Sequence, residues 1–302
     1  MSSVYGIVVT FNPDIALLVQ QIESSVKQLD YLLIVDNNSS NVKSIVEALN
    51  GNHIFSAVEI CMLPKNIGLA AGQNIGIKKA KSLNFSHVIL FDQDSLIEDK
   101  FVMKLLECEE KLIKLNHKVA AVGPVFFDPT NGVHYPATVY RGPFISKIRF
   151  DDLEYTQATF IIASGCLIRI EVLIIIGIMC EDLFVDYIDV EWSLRAKSQG
   201  YAVFMTKNAR MAHTVGDKRI SIAGRTISVH GPVRRYYLIR NSFMMLRKSY
   251  VPLGYKVREI IFNMLRFLVG LFQSKEKNVF IYYSFKGFMD GVRGKFGPFN
   301  AD

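Results

Sequence analysis

The sequence predicts an α/β protein with a mainly parallel sheet flanked by helices and a helical C-terminal extension. Two observations carry this. Short runs rich in β-branched and aromatic residues alternate with segments whose apolar residues recur at i, i+3 and i+4. Strands joined through helices imply right-handed crossovers and parallel pairing. From Val233 onward the pattern becomes helical, basic and aromatic, with no further strand signal.

The elements follow in order. Val4–Thr10, 31–35, 53–62 and His87–Phe91 read as strands, and roughly 14–29, 42–50 and 72–83 as helices. Residues 124–160 scatter Pro, Gly and aromatics with weak alternation, which suggests loops and short antiparallel strands. A helix at about 186–199 ends at Gly200 and leads into a strand at 201–206.

Composition narrows the class. Of 302 residues half are hydrophobic and 21% charged, enough to bury a large core, which excludes a disordered, collagen-like or low-complexity chain. Cys61, Cys108, Cys166 and Cys180 are far apart and fit neither a disulfide framework nor a CxxC metal site, so a reducing cytoplasm is expected. The N-terminus has no basic n-region, and no signal peptide is expected. The apolar stretches 160–180 and 260–272 are interrupted by Arg169 and Glu171 and by Asn263 and Arg266, and neither reads as a membrane span. The formal charge of +7 is uneven: residues 1–194 carry −8 and residues 195–302 carry +15. Such a basic tail suits an anionic partner or a solvated surface.

In parallel sheets ligands gather at the carboxyl ends of the strands. The polar loops there are Thr10-Phe11-Asn12, Asp36-Asn37-Asn38-Ser39, Lys65-Asn66-Ile67-Gly68 and Asp92-Gln93-Asp94. Carboxylates at i and i+2 can share a hard divalent cation whose other sites go to phosphates and water; an ordinary polar turn has the same sequence. Asp36 to Ser39 can meet a nucleobase or ribose, or form an Asx-turn into the next helix. The stretch Asn66 to Gly76 places Gly68, Gly72 and Gly76 at fours. That spacing allows either a close nucleotide approach or close helix packing. Asp186 and Asp189, three apart, are expected on one helical face near its start, where they serve the helix dipole or supply a general base. His213 follows a strand and is either structural or a metal ligand.

Together, these motifs and Arg235-Tyr236-Tyr237-Leu-Ile-Arg240-Asn241 resemble the family 2 glycosyltransferases, most closely bacterial rhamnosyltransferases that use dTDP-L-rhamnose. The resemblance spans about residues 4–250. It implies a GT-A, Rossmann-like domain over 1–232, with a nucleotide-binding half at about 1–125 and an acceptor half at about 126–232, followed by a basic, aromatic helical region at 233–302. Thr10, Asn12, Asp36, Asn66, Gly68, Asp92 and Arg240 would contact the nucleotide sugar. Asp92, Asp94 and His213 would hold Mg2+ or Mn2+. The family's Glu-Asp base motif aligns its Asp with Asp189, and Ile188 stands where the Glu would be, which keeps Asp186 as a rival base. The implied reaction inverts the sugar on a hydroxyl of a lipid-linked saccharide, in O-antigen or other surface polysaccharide synthesis. The protein would be cytoplasmic and peripheral on an anionic inner-membrane surface through 255–295, with no nucleic-acid partner. The alternatives are another donor such as UDP-galactofuranose, or a non-catalytic nucleotide-binding protein that docks on membranes.

Overall fold

The computed structural model describes residues 2–50, 58–127, 132–212, 219–222, 225–228 and 231–299. The first half is β1 (Val4–Thr10), α1 (Ile15–Ser25), β2 (Tyr31–Asp36), α2 (Val42–Asn50), β3 (Val58–Met62), α3 (Leu69–Ser82), β4 (His87–Phe91), β5 (Leu96–Ile97), α4 (Phe101–Lys114) and β6 (Val119–Phe127). The second half is β7 (Ala137–Arg141), β8 (Phe144–Ile148), β9 (Tyr155–Ala158), β10 (Cys166–Arg169), α5 (Ile170–Ile176), α6 (Ile188–Ser198), β11 (Ala202–Ala212), β12 (Arg219–Ile222) and β13 (Arg225–Ser228). The helices α7 (Pro232–Arg247), α8 (Leu253–Gln273) and α9 (Lys277–Arg293) follow. The strand expected at 53–62 is described from Val58 onward; its first residues lie outside the described ones.

The main sheet runs β3-β2-β1-β4-β10-β6-β11-β5, with β9 also paired to β11. Strands β1 to β4 are parallel, β10 is antiparallel to both β4 and β6, and β11 is parallel to β6. Successive residues of a strand face opposite sides. Thus Tyr5, Ile7 and Val9 of β1 enter one core cluster, with Ala70 and Ile77 of α3 and Trp192 of α6. Val4 and Val8 enter the other, with Leu18 and Ile22 of α1 and Leu105 of α4. Cover on both faces explains why these strands are nearly continuous apolar runs.

Two expectations are corrected, and one stretch gains structure. Residues 124–160 contain the end of a central strand, β6, as well as short antiparallel pieces. The apolar stretch 160–180 holds β10 and α5, and β10 reverses direction within the sheet. Asp186 does not share a helical face with Asp189: it precedes α6 in a left-handed conformation (φ 62°), as does Tyr187 (φ 64°).

Register brings the ligand-facing ends together, because Thr10 pairs with Asp36 and Val8 with Phe91. Helix α3 sits close above β1, where a Cβ on Gly76 would lie 2.7–2.8 Å from Ile7 side-chain carbons. Close helix packing therefore accounts for Gly76. Gly76→Val should lower unfolding free energy by about 1–3 kcal/mol, the usual range for overpacking, read as a lower urea midpoint at unchanged slope.

Candidate active site

The loops after β1, β2, β4 and the segment before α6 meet at one end of the sheet. Asp36, at the end of β2, is buried and both its oxygens are engaged: Thr10 Oγ1 donates to Oδ1 at 3.0 Å, and the Ser39 amide to Oδ2 at 3.0 Å. This is the Asx-turn expected at 36–39, and it is made by Asp36. Asn12, left-handed at φ 48°, accepts from the Ser40 amide at 2.7 Å and hydroxyl at 2.9 Å, while its own amide donates to Ser39 Oγ. Thr10 and Asp36 are thus buried beneath these loops, whereas Phe11, Asn12 and Asn38 are exposed.

Asn66 Oδ1 accepts the Gly68 amide at 2.9 Å, and the Ile67 amide donates to Asn37 Oδ1 at 2.8 Å. Gly68 has φ +91°, and a Cβ there would lie 2.6–2.8 Å from Phe184 atoms, including the carbonyl oxygen. Only glycine fits such a turn. The Leu69 amide donates to Phe184 O at 2.7 Å, which joins this loop to the segment preceding α6.

Asp92 and Asp94, half-buried, follow β4. Their turn is fixed from behind: Ser164 Oγ accepts the Asp92 amide at 3.1 Å and lies 2.7 Å from Ser95 Oγ. Gln93 accepts the Phe11 amide at 3.0 Å. Neither Gln93 nor Ser164 stood out in the sequence, since each acts through a contact remote along the chain. Among the described residues no three His, Cys, Asp or Glu converge as a metal cage, and His213 lies outside the described residues. A pair of carboxylates still fits Mg2+ or Mn2+, which take one or two from the protein and complete their shell with substrate phosphates and water.

Asp189 opens α6, with the Val190 amide donating to its Oδ1 at 2.8 Å. Burial pushes its carboxyl up to about 6, and the negative charges of Asp186 and Asp92 add to the rise. Asp189 is therefore close enough to Asp186 and Asp92 to feel their charge. Asp186 is differently placed, because Arg234 grips it with Nε at 3.1 Å and Nη2 at 2.9 Å. Both Asp186 oxygens are thus held in an ion pair, whereas Asp189 accepts a backbone amide.

Arg240 is corrected. Expected to face the donor, it is fully buried, donates to the carbonyls of Asp182 (3.0 Å), Leu183 (3.0 Å) and Gly297 and to Asn241 Oδ1, and lies 4.8 Å from the Tyr237 ring centre. Its guanidinium is consumed in holding the segment ahead of α6.

The glycosyl transferase family 2 model matches residues 6–176. The chain is 34% identical over 296 residues to the dTDP-rhamnosyl transferase RfbF of Shigella flexneri, covering 97% of this chain and 96% of that protein. It also resembles the solved structure of the mannosyltransferase PcManGT from Pyrobaculum calidifontis in complex with GDP-Man and Mn2+, with TM-score 0.57 and 14% identity, over 97% of this chain and 87% of that one. GalNAc-T7 with UDP, GalNAc and Mn2+ gives TM-score 0.55 and 13% identity over 98% of this chain, which spans 58% of that protein's length. At these identities the structural likeness speaks for the fold.

The raised carboxyl of Asp189 carries a stability signature. A carboxyl with a native pKa above its unfolded value costs nothing when protonated in both states, and its cost grows as pH rises through the native pKa of about 6. In metal-free buffer Asp189→Asn should melt roughly 3 °C above wild type at about pH 8. The difference should vanish near about pH 4, as checked by calorimetry.

Proposed function

Because this chain belongs to glycosyl transferase family 2, we propose that it is an inverting rhamnosyltransferase, taking L-rhamnose from dTDP-L-rhamnose to a hydroxyl of a lipid-linked saccharide in O-antigen or other surface polysaccharide synthesis. The observation that carries the donor is the near full-length likeness to the Shigella flexneri dTDP-rhamnosyl transferase.

The chemistry follows from the carboxylates. Asp189, with its proton affinity raised, takes the proton of the attacking acceptor hydroxyl. Attack from the face opposite the leaving diphosphate inverts the anomeric carbon without a covalent enzyme intermediate. Asp92 and Asp94 would hold a Mg2+ or Mn2+ ion, which when bound offsets the charge gathering on the departing diphosphate. Asn12 and Asn66, with Asp36 and Thr10 buried beneath these loops, frame the nucleoside side, and Gly68 lets the chain turn tightly between that side and Phe184.

Docking on the cytoplasmic face of the inner membrane is part of the same proposal. Its support is the inverted polarity of α8, whose buried residues are Tyr255 and Glu259. Its exposed side is wholly apolar: Leu253, Val257, Ile260, Ile261, Met264, Leu265, Leu268 and Phe272. Each such side chain withdrawn from water contributes up to about 1.5–3 kcal/mol. Lys275, Lys277, Arg293 and Lys295 are exposed nearby, while between Lys248 and Phe299 the only exposed acid is Glu276. This charge complements anionic lipid and repels a second copy brought face to face. Among the described residues no helix is long and apolar enough to cross a membrane, consistent with docking on the surface.

Purified protein with a divalent metal should release dTDP from dTDP-L-rhamnose in the presence of acceptor, and excess EDTA or Asp94→Ala should abolish release; preference for UDP-galactofuranose would overturn the donor. Asp189→Asn should lower kcat at least about a hundredfold with donor affinity retained, and Asp186→Asn should do less. If the order is reversed, Asp186 is the base. For docking, a variant with Ile260, Ile261, Met264 and Leu268 changed to Ser should lose flotation with phosphatidylglycerol vesicles and keep turnover on a water-soluble acceptor. Equal flotation, or a wild-type dimer that this variant dissolves, would defeat the membrane assignment.

A further inference from the structure

Helix α7 holds a second buried arginine, and its situation is the reverse of that of Arg240. Arg235 is 9% exposed, and its Nε and Nη2 have no hydrogen-bond partner among the described residues. Its guanidinium stacks on the Phe280 ring of α9, 5.2 Å from the centroid. Arg266 of α8 is close enough to depress its proton affinity further once burial has done so, and the Tyr187 hydroxyl lies near enough to act in the opposite sense. With a pKa still about 10, Arg235 stays a cation at neutral pH.

Among the described residues, the carboxylates of the elements around it are already engaged. Asp186 is gripped by Arg234. Glu259 accepts from both Tyr187 and Arg266, at 3.0 Å from the latter. Asp290 of α9 accepts the Tyr236 hydroxyl at 2.9 Å. A desolvated cation with two idle donors is costly to leave unsatisfied. Tyr187, two residues ahead of Asp189, is bonded to Glu259, so this cationic corner lies between the start of α6 and α8. The outer side of α8 is the apolar stripe described above.

We propose that Arg235, with Arg266 beside it, forms an anion subsite for the phosphate or diphosphate that joins the acceptor saccharide to its lipid. The planar fork of an arginine suits phosphate oxygens, which offer several acceptors to paired donors. The saccharide would point towards Asp189, two residues on from Tyr187. The subsite rests on the lipid-linked acceptor of the preceding subsection.

The test measures equilibrium binding of farnesyl diphosphate, farnesol, inorganic pyrophosphate and dTDP with Mn2+ to the full chain. Vesicles of phosphatidylcholine and phosphatidylglycerol form a separate arm. Wild type should bind farnesyl diphosphate at least about tenfold more tightly than farnesol, as expected for hydrogen bonds to a charged group, and pyrophosphate should compete. Arg235→Gln should erase that preference and Arg235→Lys should keep part of it, with farnesol, dTDP and vesicle binding unchanged. Four results would overturn the subsite: a preserved tenfold preference in folded Arg235→Gln; an equal loss for farnesol, meaning a structural role; a loss for dTDP, meaning a donor-side role; or an equal loss on vesicles, meaning bulk phospholipid head groups. Should Arg235→Gln fail to fold, an unaltered preference in Arg235→Lys decides against the subsite. Turnover of dTDP-L-rhamnose is read separately: its absence in wild type, beside Arg235-dependent farnesyl diphosphate binding, refutes the proposed function and leaves the subsite standing.

Discussion

The geometry of the site hangs on one clamp, the side chains of Arg240 and Asn241 closing on the carbonyl oxygens of residues 182–186. That segment is costly to form, since Phe184, Asp186 and Tyr187 all have positive φ, and each such residue is strained by roughly 1–3 kcal/mol. A backbone of this kind persists only where its surroundings leave it no alternative. Asn241 Nδ2 reaches the carbonyls of Leu183 (2.9 Å), Val185 (2.7 Å) and Asp186 (3.2 Å), Arg240 takes those of Asp182 and Leu183, and Phe184 stacks on Tyr237 at 5.0 Å. Because Phe184 O in turn accepts the Leu69 amide, the same clamp fixes the turn at Gly68. Donor-side and base-side loops are both held by α7.

This arrangement explains what could be read in advance and what could not. Strands β1, β2 and β4 were legible because both of their faces are covered, which leaves uninterrupted apolar runs ending in polar loops. The carboxylates were legible by position, as the first polar residues after such runs. The role of Arg240 was not, because an arginine among other basic residues of a helix reads as solvated, and only carbonyls more than fifty residues away along the chain make it a buried clamp. Antiparallel β10 was hidden for a similar reason: its apolar residues run directly into those of α5, with no turn signal between them. The periodicity of α8 was visible, but periodicity does not say which side faces inward. That side was decided by Tyr187, which supplies a hydroxyl to Glu259.

The three C-terminal helices therefore do two kinds of work. Helix α7 belongs energetically to the catalytic body, and α9 packs against it so closely that a Cβ on Gly287 would lie 2.7 Å from Tyr236 O. Helix α8 keeps its polar residues for the body and leaves its apolar ones outside. The acidic first part and basic last part of the chain thus meet at a structural division: carboxylates gather at the sheet's carboxyl end, and cations flank the surface that α8 presents.

One tie has a bearing on how the protein is made. Gly297 accepts from Arg240 and donates its amide to Asp182 O at 2.8 Å, and the Phe299 amide donates to Tyr237 Oη at 2.7 Å. The stretch after α9 is therefore stitched into the loop ahead of α6, more than a hundred residues earlier in the sequence. During synthesis the strands β1 to β4 and their helices can assemble as soon as they leave the ribosome. The segment ahead of α6, and with it the turn at Gly68 that it holds, cannot be fixed until residue 297 has also emerged, whereas the turn made by Asp36 needs only the chain from β1 to Ser39. Translation order thereby makes the loop ahead of α6 one of the last parts of the described fold to be locked.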